Sequence, residues 1–180
     1  GSLVWRVEHR GGNWNALMSG PTSSLHVVVA KAAVVAGLTA SMQLVLLTAV
    51  VLIGKGAFGL PGMLPGEYLA VTGLLIVAAV PVAVVQSALS MFLRSFAAPI
   101  AVALVASGIS TAALMAVGNA ALVSPYGIAT RAALLGTGSF VDTGTVTGAD
   151  VIAVLVATGV LTVVTIVGTT LLLERRDTRI

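Results

Sequence analysis

Cysteine is absent from the 180 residues, so disulfides, thiolate metal sites and cysteine nucleophiles are all excluded, and the redox compartment cannot be read from the chain. Charge is nearly as scarce. Only 8% of residues are charged, against about a quarter in soluble domains. Aromatic residues make up 4% of the chain, too few for a base-stacking platform. The nine basic residues are scattered over segment ends rather than clustered, so the net charge of +3 does not describe a nucleic-acid surface. Missing too are a GxxxxGK[ST] phosphate cradle and the basic n-region plus apolar core of a signal peptide.

What is present in excess is apolar surface: 58% of residues are hydrophobic and the mean hydropathy is +1.10. This composition predicts an all-α polytopic membrane protein forming one transmembrane domain over residues 1–180. Four runs are long enough to cross a hydrocarbon core of about 30 Å at about 1.5 Å per residue: 25–53, 68–93, 97–123 and 151–173. In the first, Lys31 lies near the start, where its amine is expected to snorkel back to the headgroups. Residues 54–67 hold five glycines and two prolines and read as a loop. Pro81 sits near the centre of the second run with Gln86 shortly after it, a combination that predicts a kink. Along the third, Gly108, Ala112, Ala116 and Ala120 recur every four residues, a small-residue stripe suited to close helix packing in lipid.

Residues 124–150 form a connection rich in glycine and threonine, with a helix-compatible piece from Pro125 to Leu135. That piece is too short to span and is expected to be re-entrant or interfacial. With four spans both ends fall on one side. Arg6, Arg10, Lys31, Arg94, Arg175, Arg176 and Arg179 share that side, against Lys55 and Arg131 opposite, so both ends are expected in the cytoplasm and 124–150 outside.

The spans hold no ionisable side chain near their centres; Gln43, Gln86 and Asn119 are their strongest polar groups. A self-powered ion-coupled carrier lacks the groups to bind its ion, and an intramembrane protease lacks its catalytic pair. His9 and His26 have no companions at metal-ligand spacing, so no metal site is expected. No catalytic or cofactor-binding residue is identified.

One segment stands apart. Residues 6–24 begin with Glu8-His9-Arg10, bend at Gly11-Gly12, carry Trp14, Leu17 and Met18, break at Gly20-Pro21 and restart on Thr22, Ser23 and Ser24. Trp14 and Leu17, three apart, can form one apolar face for a partner, and a tryptophan there also suits an interfacial anchor. Glu8 is suited to favouring a helix N-terminus or to pairing with a basic group of a partner.

The order Glu8, Gly12-Asn13-Trp14, Leu17, Pro21 and Ala30-Lys31 resembles the cytoplasmic segment of ABC-2 type transporter permeases, in the branch that exports lantibiotics, bacitracin-like peptides and related drugs. Asn13 stands where threonine is more usual. Pro81, Gln86, Leu89, Arg94-Ser95-Phe96 and Ile100 look like the family's next helix connection, and Pro125 is similar to an outer-side feature. The resemblance implies a six-helix permease of a bacterial cell membrane, of which these would be the last four helices. It also implies that Glu8, Gly12, Asn13, Trp14, Leu17 and Pro21 form a coupling helix for a separate ABC ATPase subunit, which would bind ATP and Mg; this chain binds no cofactor. A second permease, identical or homologous, lipid, and a hydrophobic or peptide substrate are the other expected partners. A non-transporting scaffold or immunity protein that binds its target directly is the alternative.

Overall fold

The computed structural model describes residues 3–11 and 20–177. A turn at Leu3–Trp5 leads into the short helix α1 (Arg6–Gly11), and α2 (Ser24–Gly56), α3 (Gly66–Phe92) and α4 (Ala98–Val117) follow. A 3-10 segment (Gly118–Val123), α5 (Pro125–Leu134) and α6 (Gly148–Asp177) complete the fold. Every regular element among the described residues is helical. Four stretches, Ser24–Gly56, Gly66–Phe92, Ala98–Val123 and Gly148–Arg175, are long and apolar enough to cross a membrane.

Local chemistry sets the helix ends. Ser23 caps α2, its hydroxyl accepting from the His26 amide at 3.4 Å. Pro99 occupies the first turn of α4, where no amide donor is needed. The apolar run 97–123 reads as a single helix, but the structure divides it. Gly118 adopts φ +59° and ψ −135°, a conformation that a residue with a Cβ avoids, and the chain there leaves the α-helix for the 3-10 segment. Pro81 lies fully buried inside α3 without ending it.

Helix α3 is the hub, with α2, α5 and α6 packed around it. Two buried clusters mark the ends of the bundle. At the end that carries both described termini, Trp5, Val27, Val28, Met91 and Leu173 pack together. At the far end Leu74 and Ala78 of α3 meet Leu122, Ile128, Ala132, Leu135 and Val154. Much of the apolar surface of α2, α4 and α6 stays open; Met42, Val45 and Leu104 are each more than two-thirds exposed. In water such faces would be unstable, whereas hydrocarbon solvates them.

Candidate functional site

Three polar arrangements interrupt this apolar bundle, one at each end and one between. At the terminal end, Trp5 is completely buried and its indole Nε1–H donates to Ser87 Oγ of α3 at 3.0 Å. His9 Nε2 lies 2.9 Å from the Ser90 carbonyl, one helical turn further on, so that nitrogen carries the proton. Lys31 Nζ donates to Glu8 Oε1 at 2.6 Å and to the Val4 carbonyl at 2.6 Å, and stands 4.4 Å from the centre of the Trp5 ring. The α1 region is thereby fastened to the start of α2 through Lys31 and to the end of α3 through Trp5 and His9.

One expectation changes here. Lys31 does not extend toward headgroups; it folds inward, because a carboxylate, a carbonyl and an indole face together offer a better environment than a half-hydrated interface. Glu8 stands in the first turn of α1, the helix N-terminal place the sequence suggested, and gives one carboxylate oxygen to a lysine of its own chain. Of the other elbow residues, Gly12, Asn13, Trp14 and Leu17 lie outside the described residues, and Pro21 is exposed just before the α2 cap.

The middle arrangement belongs to a re-entrant turn. The 3-10 segment doubles back from the end of α4, so that Ser124 Oγ meets Ser110 Oγ of α4 at 2.7 Å. Helix α5 then starts at Pro125 and returns to the far-end cluster, where Ile128, Ala132 and Leu135 are buried. At the turn, Gln86 Nε2 donates to the Tyr126 hydroxyl at 2.7 Å. Gln86 is 20 residues, about 30 Å of helix, from the start of α3 at Gly66, so the turn reaches deep into the bundle. Gly127 permits the bend: a Cβ there would lie 2.2 Å from the Ala121 carbonyl oxygen. Pro81 and Gln86 thus both lie on the hub helix, Pro81 buried and Gln86 tied to the re-entrant turn. Gly108, Ala112 and Ala116 of α4 are exposed, and so is Ala120, which the break at Gly118 moves off that helix into the 3-10 segment, whereas Ser110 and Leu114 of α4 point into the bundle.

At the far end Arg131 of α5 is 7% exposed and forks between two carboxylates, Asp142 Oδ1 at 3.2 Å and Asp150 Oδ1 at 2.8 Å. Asp142 Oδ2 also accepts the Gly138 and Gly144 amides, each at 3.0 Å, closing the loop on itself. Burial pushes the Asp142 carboxyl up, but those two amides and the guanidinium outweigh it and hold it below the ordinary value of 3.8. Asp150 Oδ2 accepts from Thr147 Oγ1 at 2.6 Å while the Asp150 amide returns a bond to that hydroxyl, a reciprocal cap at the start of α6. Arg131 therefore joins α5, the loop that follows it and the start of α6.

Sequence reasoning missed Trp5, Ser87, Tyr126, Gly127 and the Arg131–Asp142–Asp150 fork. The signals available were Thr147-x-x-Asp150 just before an apolar run and a lone arginine inside a segment otherwise free of basic residues.

Among the described residues no group of three histidine, aspartate or glutamate side chains converges to hold a metal. The arrangement fastens helices to one another, and the helices have the length and apolarity of membrane spans; the class it defines is a multi-pass membrane protein. The ABC-2 family transporter proteins match residues 1–110, more than half of the chain, and the chain belongs to that family. It is accordingly a transmembrane permease component of an ABC transporter rather than an enzyme in its own right. No curated protein and no solved structure matches it.

Proposed function

We propose that this chain is the permease subunit of an ABC exporter, coupling ATP hydrolysis in a separate ATPase subunit to outward movement of a hydrophobic or amphipathic substrate such as an antimicrobial peptide or drug. The observation that carries this reading is the fastening of the α1 region to two spans at once. A force applied next to α1, at residues 12–21, reaches α2 through Glu8–Lys31 and α3 through Trp5–Ser87 and His9–Ser90. From α3 it meets the re-entrant turn at Gln86–Tyr126. The uncharged span interiors suit a protein whose energy is delivered from outside the membrane.

In this reading Gly12, Asn13, Trp14, Leu17 and Pro21 contact the ATPase, both described termini are cytoplasmic, and a second permease completes the translocation path. The lantibiotic and bacitracin branch is the proposed source of the substrate.

Co-purification from the native host with an ABC ATPase subunit tests this, with Trp14→Ala/Leu17→Ala as the probe. The double variant should lose the ATPase while keeping its thermal unfolding midpoint. An intact complex in that variant would remove Trp14 and Leu17 from the contact, whereas no ATPase partner at all, or protection of cells against peptide that survives a catalytically dead ATPase, would favour a direct-binding immunity protein instead.

A further inference from the structure

Helix α2 carries two lysines 24 residues apart, Lys31 and Lys55, with no charged residue between them. At about 1.5 Å per residue they stand about 36 Å apart, enough to bracket a hydrocarbon core of about 30 Å. Lys31 is consumed by Glu8 and Val4. Lys55 is placed differently: its ammonium donates to the Gly62 carbonyl and forms no salt bridge with a carboxylate of the described residues. An ammonium has three donors, so its charge remains open to an anion at the far headgroup level.

A crevice runs from this position toward the membrane centre. One cavity of about 190 Å³ lies at the end of α2, bordered by Lys55, Val50 and Leu64. A second, also of about 190 Å³, continues between α2 and α3 and shares Val50 and Leu64 with the first; its floor is Gln43, Leu46 and Thr72. From Lys55 to Gln43 is 12 residues, about 18 Å, close to the depth of one leaflet, half of the hydrocarbon core. The lining is mostly apolar, and Phe58 and Met63 of the adjoining loop are 72% and 86% exposed, a surface suited to the boundary between acyl chains and headgroups.

We infer that this crevice holds an acidic phospholipid of the far leaflet, its phosphate on Lys55 and one acyl chain lying between α2 and α3 down to Gln43. Apolar walls one leaflet deep fit a chain, and the cation without a carboxylate partner at headgroup height fits an anionic head. The inference rests on α2 and α3 alone and does not depend on transport.

The test uses the full permease purified in neutral detergent and titrated with phosphatidylglycerol or phosphatidylcholine of the same acyl chains, with retained lipid read by native mass spectrometry. Phosphatidylglycerol should be retained preferentially. Lys55→Gln should reduce that preference about fivefold, the worth of one lysine against an anionic lipid, leaving phosphatidylcholine unaffected. Leu46→Trp, which fills the crevice from an exposed position, should weaken both lipids, and inorganic phosphate should not displace phosphatidylglycerol. Equal retention of the two lipids by the wild type, with no effect of Lys55→Gln, would leave only unspecific boundary lipid and overturn the inference. Full displacement by inorganic phosphate, with Leu46→Trp silent, would overturn it in favour of a free-anion site.

Discussion

Gly127 and Ala121 approach so closely across the re-entrant turn that a single added methyl would stand 2.2 Å from a backbone carbonyl oxygen. The obstacle is backbone, which cannot rotate aside as a side chain can. Gly127→Ala should therefore push the 3-10 segment away from α5 and destabilise the protein by about 1–3 kcal/mol, the usual cost of overpacking. Gly108→Ala, where nothing lies within 4 Å of the added carbon, is the control and should be neutral or slightly stabilising. Thermal unfolding of the two variants in detergent checks the difference.

The same turn is held by Gln86 and Tyr126, 40 residues apart in sequence. Removing one partner leaves the other unsatisfied in a dry environment, while removing both spares that penalty. Tyr126→Phe and Gln86→Leu should each destabilise, and the double variant should be less destabilised than the sum by about 0.6–1.7 kcal/mol, the range of polar couplings inside membrane proteins. A double-mutant cycle on unfolding midpoints measures this directly, and strict additivity would show that the bond carries no coupling.

The four spans were legible because composition and run length are properties of contiguous residues, and lipid imposes them on every spanning helix. The break at Gly118 was not, since hydropathy is blind to a single glycine turning an otherwise continuous apolar run. Position in sequence also misled about Lys31. Near a helix start a lysine has two outlets, the headgroups or a local carboxylate, and only the fold brings Glu8 and the Val4 carbonyl within reach. The fork at Arg131 joins residues 11 and 19 positions apart across a loop, and no local period announces it.

That fork makes the loop between α5 and α6 sensitive to acid in one direction only. Asp142 has a carboxyl held below 3.8, so its contribution to the folded loop is complete above that pH. It is lost as the pH falls below 3.8 through the lower folded value. Because the chain has no native cysteine, Phe140→Cys, at an exposed loop position, gives a single labelling site. Spin-label mobility at this position should be constant from pH 7 to about 4 and rise in stronger acid. In Arg131→Met it should already be high at pH 7, since Asp142 then keeps only its two amide donors. A wild-type loop that loosens between pH 7 and 5 would contradict the assignment.

At the opposite end, Lys31 touches Glu8, Val4 and the Trp5 ring together, so its loss should release α1 from α2 without removing any residue proposed to meet the ATPase. Lys31→Met strands a largely buried carboxylate and should cost about 3 kcal/mol, in the range for breaking a buried pair. Glu8→Gln/Lys31→Met removes both charges and should recover part of that loss. In the reconstituted transporter the two variants separate stability from coupling. Both should retain the ATPase subunit and its hydrolysis rate, yet move less substrate per ATP than the wild type, because the path from α1 to α2 is broken in each. Transport per ATP equal to the wild type in the stabler double variant would show that force reaches the spans only through Trp5–Ser87 and His9–Ser90, and would remove Lys31 from the coupling path.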